Sequence, residues 1–243
     1  MKRFFIFLLS TCFIAAACNK ESPGVNESPH ASVSIYAVVP AVPAFNIFLN
    51  GNNIAVGVPF GSYTLYNNVA PGMMEMKAQS SSRDVTIDTT FPVEKNQFYS
   101  LFLTDTINNI KAILLHDYFP SPDSGKCGLR FLVLSPGVPN IDFYLVRNIT
   151  IIKDTTTRID TTTEVFIKRS YGDNIAIDSV NTFKKFDSGT YAFYAVNRAN
   201  IKDTLARLTN KVFNDSTNYT IMLEGLYNKS RNDTSLVIGT RLH

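Results

Sequence analysis

The chain repeats part of its own sequence, and this repeat constrains the fold more than any other feature. Residues 31–49 (ASVSIYAVVPAVPAFNIFL) align without gaps with residues 127–145 (CGLRFLVLSPGVPNIDFYL) at an offset of 96. The prolines recur at one spacing between apolar segments, as Pro40 and Pro43 in the first copy and Pro136 and Pro139 in the second. Repetition on this scale predicts two similar structural units in tandem.

Later landmarks also recur, although at larger offsets; for example, residues 98–103 resemble residues 218–223. The second copy therefore contains an insertion of roughly two dozen residues, which we place near 148–170. The sequence thus predicts one β-sandwich repeat over residues 31–126 and a second over residues 127–243.

Both copies consist of short, mostly apolar runs separated by Gly, Pro, Asn or Ser, and the predicted strands include 45–49 and 174–178. Asn50-Gly51 after the first of these predicts a tight turn. About seven short strands in roughly 100 residues are typical of a β-sandwich, so we predict an all-β chain of two tandem sandwiches. Residues 203–213 are ambiguous, because Leu205, Leu208 and Val212 fall at helical spacing. We favour a strand there, since this stretch aligns with the predicted strand at 84–88.

The first 17 residues have the pattern of an export signal rather than of a folded segment. Two basic residues precede the mostly apolar run 4–14, and Ala15, Ala16 and Ala17 lead to Cys18. This resembles the bacterial lipoprotein signal, in which the cysteine is lipidated and becomes the first residue of the mature chain. An ordinary secretory signal with an incidental cysteine is the alternative.

Residues 18–30 are polar and lack periodicity, which predicts a flexible tether after lipidated Cys18. Two or more acyl chains (palmitate among them) would make a durable membrane anchor, at about 0.8 kcal/mol per buried methylene. No later run approaches eighteen apolar residues, so no transmembrane helix is expected. Asn19 follows the cysteine and favours the outer membrane of the cell envelope; its periplasmic and outward faces remain equal alternatives.

The second copy resembles a known family of bacterial envelope proteins. Residues 129–144 (LRFLVLSPGVPNIDFY) combine a strand, a Ser-Pro pair, a further proline and an apolar-Asp pair before an aromatic strand. This phrase is similar to that of the domain of unknown function 4397 (DUF4397). The first copy departs from it, with Val39 in place of Ser and Asn46 in place of Asp. The resemblance implies immunoglobulin-like β-sandwiches, and together with the lipoprotein signal it suggests a Bacteroidetes lipoprotein.

The prolines and the aspartate of this motif have a structural explanation. Proline donates no hydrogen bond to a sheet, so Pro40, Pro43, Pro136 and Pro139 are expected in the connections that carry the chain between two sheets. Asp142 is expected to accept backbone hydrogen bonds near this crossover. The alternative for Asp142 is a carboxylate that binds a ligand or metal ion.

We found no pattern that predicts catalysis. His116-Asp117 is the only adjacent His–acid pair, and we interpret it as part of the segment between the two repeats. Cys127 is expected to be a small buried residue. The carboxylates form no calcium loop and no phosphate-binding glycine loop occurs, so we predict no metal site and no cofactor. A formal charge of +3 is too small to indicate a nucleic-acid partner.

Asp-Ser/Thr dipeptides followed by Thr or an apolar residue resemble the O-glycan acceptors of Bacteroidetes envelope proteins. The echo DTTT at 154–157 and 160–163 lies within the predicted insertion, for which a long solvated hairpin is the simpler interpretation. The candidate acceptors are Thr89, Thr106, Thr155, Thr161, Ser179, Thr204 and Ser216.

Together these features predict a non-enzymatic, lipid-anchored envelope protein that acts as a structural or binding module. Its expected partners are the membrane and, as candidates, envelope proteins or glycans. The first alternative is a glycan-binding lipoprotein of a polysaccharide-uptake or adhesion system, with Tyr63, Tyr66 or Tyr171 as sugar platforms. The second is a hydrolase, which would need His116 in a pocket beside a carboxylate and a hydroxyl.

Overall fold

A computed structural model describes residues 29–40, 42–82, 84–153, 156–173, 182–227 and 236–243, and for residues 148–165 it describes the backbone alone. These residues form strands throughout, which confirms the all-β prediction. The strands are β1 (Ala31–Ala37), β2 (Ala44–Leu49), β3 (Asn52–Pro59), β4 (Ser62–Tyr63), β5 (Asn67–Val69), β6 (Gly72–Ser80), β7 (Thr86–Val93), β8 (Phe98–Thr104), β9 (Lys111–His116), β10 (Lys126–Val133), β11 (Ile141–Lys153), β12 (Thr156–Arg169), β13 (Lys184–Asp187), β14 (Gly189–Asn197), β15 (Thr204–Phe213), β16 (Asn218–Glu224) and β17 (Val237–Leu242).

Strands β1–β9 form two sheets that enclose one core. Sheet 1 has the order β4-β1-β8-β9, with β5 also paired to β1, and sheet 2 has the order β3-β2-β6-β7. Their inner faces meet in a cluster that includes Val33, Ile35, Ile47, Met76 and Leu101. We call these two sheets the first sandwich.

Strands β10–β17 repeat this arrangement and form the second sandwich. Sheet 3 has the order β13-β10-β16-β17 and sheet 4 has the order β12-β11-β14-β15. The parallel pairing of β10 with β16 reproduces that of β1 with β8. Residues 203–213, the ambiguous stretch, supply β15, and β15 pairs with β14 as β7 pairs with β6. The strand interpretation is therefore correct, while a further strand expected at 174–178 lies outside the described residues.

The two copies differ most at one hairpin. In the first sandwich β2 and β3 are joined by a tight turn at Asn50 and Gly51, whose φ angles of 48° and 76° fit the Asn-Gly turn signal. In the second sandwich the corresponding strands β11 and β12 are much longer, and they pair with each other as far as Lys153 and Thr156. Beyond Val146 this ribbon has no pairing to β14. Part of the extra length of the second copy lies in this hairpin, since Ala44–Pro59 spans 16 residues and Ile141–Arg169 spans 29.

Both copies also contain the same tyrosine hydroxyl contact, which sequence reasoning missed. Tyr99 accepts a hydrogen bond from the backbone N–H of Glu94 at 3.0 Å, and Tyr219 accepts one from Asn214, also at 3.0 Å. Each tyrosine lies at the start of its strand and bonds five residues upstream. This is the tyrosine corner of immunoglobulin-like sandwiches, and it occurs at equivalent places in both copies.

The two sandwiches pack together through the outer faces of sheets 1 and 3. Tyr36, Val38 and Phe102 of the first contact Leu132, Leu134 and Met222 of the second in one buried cluster, joined by Ile113 and Leu115. Strands β1, β8, β10 and β16 are consequently buried on both faces along almost their full length. The inner two sheets are therefore covered on both sides by protein.

Candidate functional site

The four repeated prolines lie in connections between strands. Pro40 and Pro43 fall between β1 and β2, which belong to sheets 1 and 2. Pro136 and Pro139 fall between β10 and β11, which belong to sheets 3 and 4. Each pair therefore lies in a crossover from one sheet of a sandwich to the other, where no ladder hydrogen bond is lost.

Asp142 fixes a bulge in the neighbouring strand. Its Oδ1 accepts hydrogen bonds from the backbone N–H of Lys168 at 2.9 Å and from Arg198 at 2.8 Å. Asn46, its counterpart, accepts a hydrogen bond from the N–H of Gly57 at 3.0 Å. Gly57 and Lys168 both have positive φ, 69° and 58°, as expected where an extra residue interrupts a ladder. Asp142 therefore bonds the backbone of β12 and the side chain of Arg198, while its role stays a prediction.

The candidate glycan acceptors differ in accessibility. Thr106, Thr204 and Ser216 are exposed, and Thr89 is half-buried. Asp105, which precedes Thr106, is already engaged, because it binds Tyr171, Lys111 and its own loop. Thr155 and Ser179 lie outside the described residues, and the side chain of Thr161 is not described. Their modification stays a prediction.

The structure describes Cys127 but not Cys18. Because Cys18 lies outside the described residues, its lipidation stays a prediction. Cys127 is fully buried on β10 and unpaired, and burial raises the pKa of its thiol to about 11. A protonated, inaccessible thiol is a poor nucleophile.

The residues proposed for the two alternative functions are not arranged as those functions need. His116 is exposed, its Nε2 lies 2.7 Å from Oε1 of Gln97, and its ring packs on Tyr99. Tyr66 is engaged by buried groups, and Tyr171 bonds Asp105. Tyr63 alone of the three platforms is exposed, and it stacks on Tyr36.

The densest polar cluster in the described structure lies between the sandwiches. Asp117, in the connection after β9, forms an ion pair with Arg130 of β10 at 2.7 Å, and neither side chain is exposed. Asp117 also accepts hydrogen bonds from Ser100 at 2.6 Å and Tyr66 at 2.8 Å. Arg130 donates to Thr220 at 3.1 Å and stacks over Phe183. The two charges are thus paired across the sandwich interface, while Nη2 of Arg130 has no hydrogen-bond partner among the described residues.

His243 extends this cluster. Its Nε2 lies 2.8 Å from the Thr220 hydroxyl and its Nδ1 lies 3.3 Å from the Tyr66 hydroxyl. Burial, followed by the charges of Arg241 and Arg130, lowers the pKa of His243 to about 2, so the ring is neutral. Burial and Asp117 raise the pKa of Tyr66.

The Thr220 hydroxyl and the His243 imidazole resemble part of a nucleophilic relay, but the Tyr66 hydroxyl lies between that imidazole and the Asp117 carboxylate. Thr220 is completely buried, and its hydroxyl is already bound by Arg130. A catalytic nucleophile must reach its substrate. The Thr220 hydroxyl is therefore inaccessible, and the cluster joins the two sandwiches.

Arg241 of β17 joins the second sandwich to the first through aromatic rings. Its guanidinium lies 4.7 Å from the ring of Tyr36, 4.9 Å from that of Tyr63 and 4.8 Å from that of Tyr66. It also donates a hydrogen bond to Ser100 at 3.2 Å. Burial lowers its pKa to about 9, and the three ring faces compensate part of its lost hydration.

Glu224 at the end of β16 is the unusual acid of this interface. It is buried between Gly239 of β17 and the turn at Gly61 of the first sandwich, and its Oε2 has no partner in the described part of the chain. Burial raises its pKa to about 7. A Cβ on Gly239 would lie 2.5 Å from Oε1 of Glu224, so a larger residue there would require the carboxylate to shift.

The described residues contain neither a metal-binding cluster nor a membrane-spanning helix. Histidine, cysteine, aspartate and glutamate side chains form no group of three or more that could hold a metal ion there. The same ranges contain no helix with the length and apolarity to cross a membrane.

Sequence reasoning missed the interface, although a signal for it was present. The stretches in β1, β10 and β16 are apolar or small at successive positions rather than at alternate ones. Such runs indicate strands buried on both faces. The pattern did not indicate which sheet faces cover one another.

Comparisons with known proteins were made for sequence and structure. No curated protein matches the sequence. Candidate cell adhesion proteins from Bacteroides uniformis and Bacteroides ovatus each share 10% identity over 88% of this chain, covering 96% and 95% of theirs, with TM-scores of 0.29 and 0.27. A family 26 carbohydrate-binding module from Eubacterium rectale Amy13K, solved with maltoheptaose, shares 8% over 88% of this chain and 96% of its own (TM-score 0.24). These TM-scores are too low to support an argument about function.

The family match is more specific. It begins at the first residue of β1, crosses the whole first sandwich and ends four residues into β11, and so includes both proline crossovers. It also includes the Asp142 position and the sandwich connection with Asp117. The model of the family described as domain of unknown function DUF4397 thus matches residues 31–144, the region that includes the motif on which the sequence resemblance rested.

Proposed function

We propose that this chain is a non-enzymatic, lipid-anchored envelope protein that acts as a structural or binding module at the outer membrane. The observation that carries the proposal is the buried interface, with Asp117 and Arg130 at its centre. An interface that is both apolar and ion-paired favours a single stiff body over two independently moving domains. Such a body suits a module that holds binding surfaces away from a membrane.

The chain also offers elements for presentation. The ribbon of β11 and β12 continues past Val146, the last residue of β11 that pairs with β14. Seven residues of β11, 147–153, span about 23 Å at 3.3 Å per residue. In the proposal this ribbon and the outer faces of sheets 2 and 4 carry contacts to other envelope components.

The non-enzymatic part of the proposal is supported by the closed interface network. The described hydroxyl–imidazole pair, Thr220 and His243, is inaccessible at its hydroxyl. His116 contacts a glutamine and an aromatic ring rather than a carboxylate and a hydroxyl.

The anchor is tested by replacing Cys18 with Ser in the full chain, expressed in its native host. The matched control is Cys12→Ser, which changes a cysteine that the proposal assigns to the discarded signal. We expect Cys18→Ser to leave the membrane fraction and to lose labelling by a palmitate analogue, while Cys12→Ser keeps both. Continued lipid labelling of Cys18→Ser would refute the anchor.

Glycan binding is the second candidate function, and one observation favours it. The outer face of sheet 4 carries two tyrosines directly opposite each other on neighbouring strands, Tyr144 and Tyr194. These are different residues from the platforms that the sequence suggested. Protease shaving of intact cells, followed by detection of the chain, would establish whether that face is available outside the cell.

A further inference from the structure

A row of three side chains crosses the outer face of sheet 4. Tyr144 of β11 is in register with Tyr194 of β14, and Tyr194 is in register with Arg207 of β15. Their sequence neighbours Phe143, Phe193 and Ala206 belong to the inner core cluster. Because side chains alternate between the faces of a sheet, the row points away from that core. We call these three residues the Tyr-Tyr-Arg row.

The polar groups of this row have no partners in the described part of the chain. Arg207 is exposed and both tyrosines are half-buried. Within the described residues, neither phenol hydroxyl makes a hydrogen bond and the Arg207 guanidinium makes no ion pair. Tyrosine rings that pack on a sheet while their hydroxyls have no partner among the described residues are arranged as a binding surface would need.

The flanks of the row differ in character. On one side lie Val146 and Ala192, in register with each other, and Ala192 is small enough to leave the neighbouring ring face open. On the other side Asp142 is held by Arg198 at 2.8 Å, so its negative charge is already compensated. The cation of Arg207 therefore faces no competing carboxylate from these neighbours.

We propose that the Tyr-Tyr-Arg row binds an oligosaccharide that carries a carboxylate, which deepens the binding role in the proposed function and rests on it. Tyrosine rings pack on the C–H faces of sugars while their hydroxyls bond sugar hydroxyls. Neighbouring strands lie about 4.8 Å apart, a spacing close to that of successive rings in an extended oligosaccharide. Arg207 at the end of the row offers a planar fork of donors that matches a carboxylate.

The first sandwich contains an internal control. The equivalent row on sheet 2 consists of Phe48, Lys77 and Asp88, which are in register on β2, β6 and β7. Here the aromatic residue has no hydroxyl, and a cation and an anion stand opposite each other. This row therefore lacks both the paired rings and the unopposed guanidinium.

The test uses the purified full-length protein in detergent and a panel of immobilised neutral and uronic-acid-containing oligosaccharides. We expect retention on the uronic-acid group. Tyr144→Ala and Tyr194→Ala should each weaken binding about two- to tenfold, the range expected for one aromatic contact. Arg207→Ala should abolish the preference for uronic-acid sugars over neutral ones. Phe48→Ala is the matched control and should bind as the unaltered protein does.

The thermal unfolding of each variant is measured first, and only variants as stable as the unaltered protein are compared in binding. We expect the variants to meet this condition because the row lies on the outer face of sheet 4, away from the core. Absence of retention on the whole panel would overturn the inference, as would unchanged retention by the double variant Tyr144→Ala/Tyr194→Ala. A dimer of the protein that the double variant abolishes would also overturn it, since the row would then be a self-association surface. These results are independent of the Cys18→Ser fractionation, so the anchored-module proposal stands or fails separately.

Discussion

The interface network predicts a large and specific stability loss when Asp117 is replaced by alanine. The substitution removes the carboxylate that accepts hydrogen bonds from Arg130, Ser100 and Tyr66. It leaves the Arg130 guanidinium buried without a counter-charge, since its side chain has no exposed surface. Breaking a buried pair in this way costs about 3–5 kcal/mol.

That magnitude is a large share of the stability of a natural protein, which is about 5–15 kcal/mol. Urea unfolding slopes of about 3 kcal/mol per molar, at the upper end of the usual range, convert it to a midpoint lower by about 1–2 M. Arg130→Met in the same background removes the orphaned charge and keeps an apolar chain of similar length. We therefore expect the double variant to regain most of the loss.

The assay is urea unfolding followed by circular dichroism for the two single variants and the double variant. Asp123→Ala is the matched control, because Asp123 pairs with Lys185 at 2.9 Å on the exposed surface. Its midpoint should be unchanged, since exposed pairs contribute little. Midpoints of Asp117→Ala and the unaltered protein that agree within 0.3 M, on the order of 1 kcal/mol, would refute the reasoning. So would strictly additive effects of Asp117→Ala and Arg130→Met.

Three further outcomes follow from the structure. Burial raises the pKa of Glu224 from 4.5 to about 7, so the contribution of this side chain to stability is fully present below pH 4.5 and is lost as the pH rises to 7. Glu224→Gln should therefore stabilise the protein by up to about 3 kcal/mol at pH 8 but not at pH 4.5. Equal urea midpoints of the two proteins at pH 8 would contradict this. Tyr99→Phe and Tyr219→Phe should each cost about 1 kcal/mol in thermal unfolding, since each removes one corner hydrogen bond, and a loss at only one of them would argue against equivalent corners. A fragment of residues 29–117 should show β-sheet circular dichroism but elute as an oligomer, because the apolar outer face of sheet 1 is uncovered; a stable monomer in light scattering would refute this.

Much of this molecule was readable from local patterns. The repeat at an offset of 96 and the Pro-x-x-Pro spacing located the crossovers, because a residue without an N–H is excluded from a ladder wherever it occurs. The Asn50-Gly51 turn was readable for a similar reason, since its conformation depends on those two residues. Asp142 was expected to bind the backbone, and its partner is the N–H of Lys168.

Other features depend on distant parts of the chain. Asp117 was interpreted as part of a connection, and nothing near it in sequence indicates that Arg130, Ser100 and Tyr66 converge on it. His243 follows the last strand, β17, yet its Nε2 lies 2.8 Å from the Thr220 hydroxyl of β16. The Tyr-Tyr-Arg row likewise exists only because β11, β14 and β15 pair in one register.

The sequence by itself determined the strand class, the duplication, the crossovers and the turns, because each follows from hydrogen-bonding or conformational limits that a residue carries with it. Only the tertiary structure decided that sheets 1 and 3 cover each other and which side chains meet between them. The physical reason is that burial and electrostatic pairing are properties of surfaces brought together over long chain separations. A fully apolar strand indicates that both of its faces are covered, but it does not indicate which other parts of the chain cover them.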